Sequence, residues 1–318
     1  MVNRREFLLT AAGAGATLSL TPRLLEALAQ GQLIEHVIPS TGEKIPVIGL
    51  GSSATFATVA RSEDVEALRS VLRTMSERGA RVFDTAPSYG ASEEVAARLV
   101  NELGIAEKFF WATKVNVAGR GGTPADPAAA RAQIERSLER LKRPAIDLMQ
   151  VHNMGDPPTQ LAVVREFKKA GKVRYVGITT TDDRQYGLLE EVMRNEPLDF
   201  IGIDYAADNR GVEERILPLA IERKIGVLAY APFGRTSLFR RAANTPLPEF
   251  AKDIDATTYA QLFLKFVISH PAITAVTPAT SQAKNMIDNI GGGMGRVPDA
   301  RQREEIIKFV DALPAATR

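Results

Sequence analysis

Residues 109–152, FFWATKVNVAGRGGTPADPAAARAQIERSLERLKRPAIDLMQVH, decide the fold. FFWATKV and IDLMQVH are short runs rich in β-branched and aromatic residues, the pattern of buried strands. PAAARAQIERSLERLKR between them spaces its apolar residues as a helix does. A strand, a helix and a second strand in this order pair their strands in parallel, because the helix carries the chain back across the sheet.

The unit repeats in both directions. VIGLG and RVFDTA precede it, and VRYVGIT, FIGIDYA, IGVLAYA and ITAVTPA follow, making eight strand candidates. Amphipathic stretches such as EDVEALRSVLRTMSERG and GLLEEVMRNE alternate with them. Eight such units predict an α/β fold, a (β/α)8 TIM barrel. The competing open sheet announces its nucleotide site with G-x-G-x-x-G after the first strand, and VIGLGSSATF lacks that spacing. Ahead of the barrel, LIEHVIPSTGEKIPVIG reads as a β-hairpin turning at Ser-Thr-Gly-Glu. The long segment 231–255 reads as a lid or as a loop with small helices of its own. Additional helical sequence at the C-terminus, PDARQREEIIKFVDALP, packs across the outside. With no linker in sight, residues 30–318 are expected to form one barrel domain.

Composition narrows the chemistry. The 40 Lys+Arg against 38 Asp+Glu leave a net charge of +2, too little for the basic field that nucleic-acid binding uses. The absence of cysteine removes thiolate nucleophiles, Cys-ligated zinc, iron–sulfur clusters and disulfides. Only His36, His152 and His270 remain as imidazoles, from distant parts of the chain, so no metal site is expected.

Residues 1–29 read as an export signal. Arg4-Arg5-Glu6-Phe7-Leu8 opens an uncharged, moderately apolar run to Leu20, and Ala27-Leu28-Ala29 supplies small residues for cleavage before Gln30. The run is shorter than the roughly 20 apolar residues a bilayer span needs. The paired arginines followed by Phe-Leu resemble the twin-arginine signal, which implies export machinery as a partner and a periplasmic or otherwise exported mature protein. An ordinary amphipathic extension is the plainer alternative.

Barrel chemistry sits at the C-terminal ends of the strands, and polar residues there form a set. Asp84 ends the second strand, Tyr89 follows it in FDTAPSYG, Lys114 ends the third and His152 the fourth. A phenol can act as acid, an ammonium can stabilise its anion, a carboxylate can pair the ammonium, and an imidazole can orient a substrate. Each has a plainer reading alone: Asp84 as a turn cap, Lys114 as a surface pair, Tyr89 as a packed aromatic, His152 as a hydrogen-bonded rim histidine. Their common register argues for one pocket.

FDTAPSYG, ATK and VH, with VIGLG before and VRYVGIT and VLAYAPFG after, closely resemble the aldo-keto reductase superfamily from about residue 40 to 313. The resemblance implies a barrel that binds a nicotinamide dinucleotide, NADP(H) or NAD(H), without a Rossmann domain. It implies Asp84, Tyr89, Lys114 and His152 as a catalytic tetrad, with Tyr89 giving the proton as hydride reaches a small aldehyde, ketone or sugar carbonyl. It places Tyr230 against the nicotinamide, Ala231, Phe233, Gly234 and Arg235 around the pyrophosphate, and Thr280, Ser281 and Asn289 near the adenosine phosphate. An N-capped helix alone would also explain Thr280 and Ser281. Three positions depart from the family pattern: Thr179-Thr180 stand for Ser-Asn, Gly202 for a glutamine, and Asn285 beside Lys284 for an arginine. Lysine is a point charge where arginine grips phosphate with two bonds, so the choice between NADP(H) and NAD(H) stays open. Trp111, the single tryptophan, is expected in the core, and the short loop after His152 suggests an accessible mouth. A cofactor-binding accessory module with little turnover is the alternative function. A monomer without stable membrane insertion is the expected state.

Overall fold

A computed structural model of the chain describes residues 31–62, 65–118 and 123–315. The export-signal reading of residues 1–29 lies outside the described residues. A hairpin of β1 (Glu35–Val37) and β2 (Lys44–Pro46) comes first. Gly42 lies in its turn at φ +81°, a backbone conformation that a side chain resists. Eight parallel strands follow: β3 (Leu50–Gly51), β4 (Val82–Asp84), β5 (Phe110–Val115), β6 (Ile146–Val151), β7 (Val173–Thr180), β8 (Phe200–Asp204), β9 (Gly226–Tyr230) and β10 (Ile273–Val276). Each pairs with the next in chain order, and single parallel bridges at Ile48–Val276 and Gly51–Ala279 join the first to the last. The result is a nearly closed (β/α)8 barrel, with each expected strand in its place.

Local chemistry explains the helix boundaries. Helix Pro127–Leu141 begins where the Asp126 carboxylate accepts from the Ala128 N–H at 2.9 Å, with proline in the first turn. Helix Ala300–Ala312 starts with a capping box in which Asp299 and Gln302 bond each other's backbone N–H. The segment after β9 carries a short helix, Ser237–Ala242, flanked by 3-10 turns at Gly234–Thr236 and Glu249–Ile254.

Two cores result from the alternation of side chains along each strand. Outward residues such as Phe83, Trp111, Ile178 and Ile201 pack beneath the helices, and Trp111 stands 5.4 Å from the ring of Phe83. Inward residues Val82, Phe110, Leu148, Tyr175, Phe200 and Leu228 fill the lower barrel together with Ile38 and Ile45 of the hairpin segment. The hairpin therefore plugs the N-terminal end, and His36 Nδ1 donates to the Ile273 carbonyl at 2.7 Å to hold it there. Above this apolar layer the inward positions are polar or glycine.

Candidate active site

The last inward residue or two of several strands build this site. Asp84, Lys114, Gln150, Thr179, Gly202, Asp204 and Tyr230 share the inward parity of the apolar layer beneath them. The strand register sets Lys114 beside Gln150 and Asp204 beside Tyr230. His152 follows β6 directly, and Tyr89 reaches in from the loop after β4.

Lys114 Nζ donates to Asp84 Oδ2 at 2.7 Å and to the Thr85 carbonyl at 2.8 Å. It lies 5.0 Å from the Tyr89 ring centre and 5.5 Å from that of Tyr230. The Tyr89 hydroxyl lies 3.4 Å from His152 Nε2, with the two rings edge to face. Asp84 Oδ1 accepts from the Tyr230 hydroxyl at 3.2 Å and from Gln150 Nε2 at 3.3 Å. One carboxylate, one ammonium, two phenols and one imidazole are thus connected through a buried network.

Burial pushes the Asp84 carboxyl up, against the pull of Lys114, Tyr230 and Gln150. Burial also opposes the Lys114 charge, but Asp84 and then Tyr89 outweigh it, so the ammonium is held above its ordinary range. Burial raises the Tyr89 phenol, with Lys114 as the main opposing influence. Tyr230 is raised well above an ordinary phenol by burial and by the Asp84 charge. At neutral pH both phenols therefore carry their protons, and Lys114 stays cationic.

A cavity of about 430 Å³ opens over this network. Gly51, Ser53 and Thr55 line one wall, and Thr179, Asp204 and the Ala231–Thr236 loop line another. That loop has left-handed backbone at Ala231 (φ +47°), Gly234 (φ +55°), Arg235 (φ +51°) and Thr236 (φ +76°). The Gly234 N–H bonds the Ala231 carbonyl at 2.9 Å, which closes the turn and leaves the Arg235 side chain as its charged group. Arg235 NH2 reaches Asp204 Oδ2 at 2.5 Å while most of its side chain stays exposed. A second lobe of about 460 Å³ extends past Tyr89 and His152, lined by Ser88, Asn116, Gln133, Asn153 and Thr181 among others. The aromatic faces of Tyr89 and Tyr230 and the Arg235 cation all border the same cavity.

Asp84, Tyr89, Lys114, His152, Thr179, Tyr230, Ala231, Phe233 and Arg235 all line this cavity, and Gly234 belongs to the same loop. Thr180 does not, because it has the outward parity of β7. Its hydroxyl donates to Gln185 Oε1 at 2.5 Å. Thr280, Ser281, Asn285 and Asn289 also lie outside the cavity lining. Neither Thr280 nor Ser281 caps the following helix, whose N-cap is Gln282 without a side-chain bond. Thr280 instead accepts from the Gln282 N–H at 3.1 Å in a local turn. Asn289 is buried in that helix, and Asn285 is exposed at its start. Gln150 was not singled out from the sequence, although its place two residues before His152 in IDLMQVH gives it the same inward parity. Thr181 lies in the loop after β7 and Asn153 in the 3-10 turn His152–Met154, where no periodicity marks them.

The aldo/keto reductase family model matches residues 47–300. The aldo-keto reductase YhdN of Bacillus subtilis is 31% identical over 207 residues, 62% of this chain and 61% of that protein. A probable aldo-keto reductase 1 of Glycine max is 28% identical over 270 residues, 74% of this chain and 77% of that protein. Among solved structures, an aldo-keto reductase from Bacillus halodurans in its holo form superposes with a TM-score of 0.71 at 21% identity, covering 90% of this chain and 98% of that one. An aldo/keto reductase from Klebsiella pneumoniae in complex with NADP and acetate gives 0.67 at 22% identity, covering 87% and 95%.

Proposed function

The chain belongs to the aldo/keto reductase family, and we propose that it reduces the carbonyl of a small polar molecule with a nicotinamide dinucleotide as hydride source. The observation that carries this reading is the placement of Tyr89: its hydroxyl is 3.4 Å from His152 Nε2, its ring is 5.0 Å from Lys114 Nζ, and it faces an open cavity. A phenol in that position can hand a proton to a carbonyl oxygen and share the resulting charge with a neighbouring ammonium.

A nicotinamide cofactor held here would supply hydride to the carbonyl carbon. Tyr89 gives its proton to the oxygen, Lys114 stabilises the phenolate left behind, and Asp84 holds Lys114 in place. His152 Nε2 orients the oxygen from the other side. Tyr230 presents an aromatic face, while the Ala231–Arg235 loop and the Arg235 charge grip the pyrophosphate. The amide and hydroxyl lining of the second lobe favours a substrate with hydroxyl groups, such as a sugar carbonyl. NADP(H) is the cofactor to test first, because the Klebsiella structure holds NADP, with NAD(H) beside it because Asn285 brings no second cation to Lys284. Arg4-Arg5 and the apolar run after them support export by the twin-arginine route.

The test is loss of reduced-nicotinamide absorbance when protein is mixed with NADPH or NADH and a panel of sugar and aromatic aldehydes. Turnover that disappears in Tyr89→Phe supports the reading. Bound cofactor without turnover on any carbonyl overturns it in favour of an accessory binding module.

A further inference from the structure

Gly202 and Tyr230 occupy adjoining strands at the centre of the site, and each explains the other. A Cβ added at Gly202 would lie 2.4 Å from the Tyr230 hydroxyl oxygen, 2.5 Å from Cε2 and 2.7 Å from Cζ. Any side chain at position 202 therefore displaces the phenol ring from its seat against β8. In that seat the hydroxyl reaches Asp84 Oδ1 and Gln150 Oε1, each at 3.2 Å. Its single proton has two acceptors, both belonging to residues on the inward faces of other strands. Gln150 completes the triangle by donating Nε2 to the same Asp84 oxygen.

Asp84 is thereby held at both oxygens. Oδ2 takes the Lys114 ammonium, and Oδ1 takes a phenol and an amide. A carboxylate held at one oxygen alone could turn about its terminal bond, whereas one bound on both sides keeps Oδ2 pointed at Lys114. An aromatic ring needed only as a flat surface has no use for this hydroxyl, and the three atoms nearest to a Cβ at position 202 all belong to the Tyr230 ring and hydroxyl.

We propose that Tyr230 is a positioning residue whose hydroxyl, seated by Gly202 and bridged by Gln150, locks Asp84 so that it holds Lys114 beneath Tyr89. The lock itself is a property of the folded chain. Only its effect on turnover rests on the carbonyl-reductase reading.

The groups facing Asp84 are Lys114 from β5, Gln150 from β6 and Tyr230 from β9, with Tyr89 coupled from the loop after β4. Tyr230→Phe keeps the ring and removes one hydrogen bond that favours the Asp84 anion. Asp84 should then titrate about one unit higher. The shift is read by carboxyl-carbon NMR on 13C-aspartate protein, with Asp84→Asn identifying the signal, so no activity is needed. In enzyme that turns over, the acid limb of kcat moves up with it, while KM for the cofactor stays within about twofold because the ring remains.

Gly202→Ala should reproduce the shift by unseating the ring, and should add nothing to it in the Tyr230→Phe background. An Asp84 titration in folded Tyr230→Phe that coincides with wild type overturns the proposal, and so does a shift in Gly202→Ala that adds fully to that of Tyr230→Phe. A shift observed in protein that reduces no carbonyl upholds the lock and removes the reductase reading. If Gly202→Ala fails to fold, Tyr230→Phe decides alone.

Discussion

Lys114 Nζ and Asp84 Oδ2 meet at 2.7 Å with 1% and 5% of their side chains exposed, a buried ion pair at the base of the cavity. Removing one partner strands a charge away from water, which costs about 3–5 kcal/mol, whereas removing both leaves only altered packing. Lys114→Met is therefore expected to lower stability to denaturant by that amount. Lys114→Met/Asp84→Asn should regain part of the loss, and a double variant no more stable than the single one would show that the pair is not the cause.

Tyr89→Phe keeps the ring that packs edge to face with His152 and removes the only proton it can give. If that proton is the one given to the carbonyl, its loss lowers kcat by about 10²-fold or more. Cofactor binding, followed by fluorescence quenching, should stay close to wild type.

If Tyr89 is the proton donor, its raised phenol sets the pH dependence of reduction. A raised pKa keeps the proton-bearing form present to higher pH, so the donor is intact through neutrality. Reduction kcat should stay level on the Tyr89 account up to about pH 10, the ordinary phenol value, and fall only above it. A decline centred near pH 8, absent from Tyr89→Phe single-turnover data, would assign the phenol the opposite shift.

Arg235 is the one cation on the Ala231–Thr236 loop, and it spans to Asp204 at 2.5 Å. If it grips the pyrophosphate, Arg235→Ala weakens cofactor binding about tenfold or more with little change in kcat, since the Arg235 side chain has no hydrogen bond to Asp84, Tyr89, Lys114 or His152 and pairs with Asp204 instead. Titration calorimetry at two salt concentrations checks this, the wild type losing more affinity to salt than the variant.

Ile45 is buried at the plugged end of the barrel, on the far side of the apolar layer from the tetrad. Ile45→Ala should cost about 2–5 kcal/mol in thermal or urea unfolding while leaving kcat unchanged. An activity loss larger than the loss of folded protein would mean that the plug shapes the site.

Much of this architecture was legible before any coordinates. FFWATKV, VRYVGIT and IGVLAYA are apolar enough to be buried on both faces, which is what a parallel strand under helices requires. The polar residues closing such runs stand out against them, so Asp84, Lys114 and His152 could be found by position. Thr179 and Thr180 looked equivalent as neighbours, yet one lines the cavity and the other bonds Gln185, because adjacent residues of a strand face opposite ways. Thr280 and Ser281 had the chemistry of caps but not the place, since Gln282 is the N-cap and the helix begins at Ala283.

By itself, then, the sequence determined the barrel, its hairpin and the rim that carries Asp84, Lys114 and His152, because strand and helix periods and the polar strand ends are written in local order. The tertiary structure decided what those residues do to one another. Gln150 joins Asp84, Tyr230 turns its hydroxyl to the same carboxylate, and Gly202 leaves the room for it. These contacts link strands up to 146 positions apart, and their existence depends on strand register and on space between side chains, neither of which any one stretch of sequence contains.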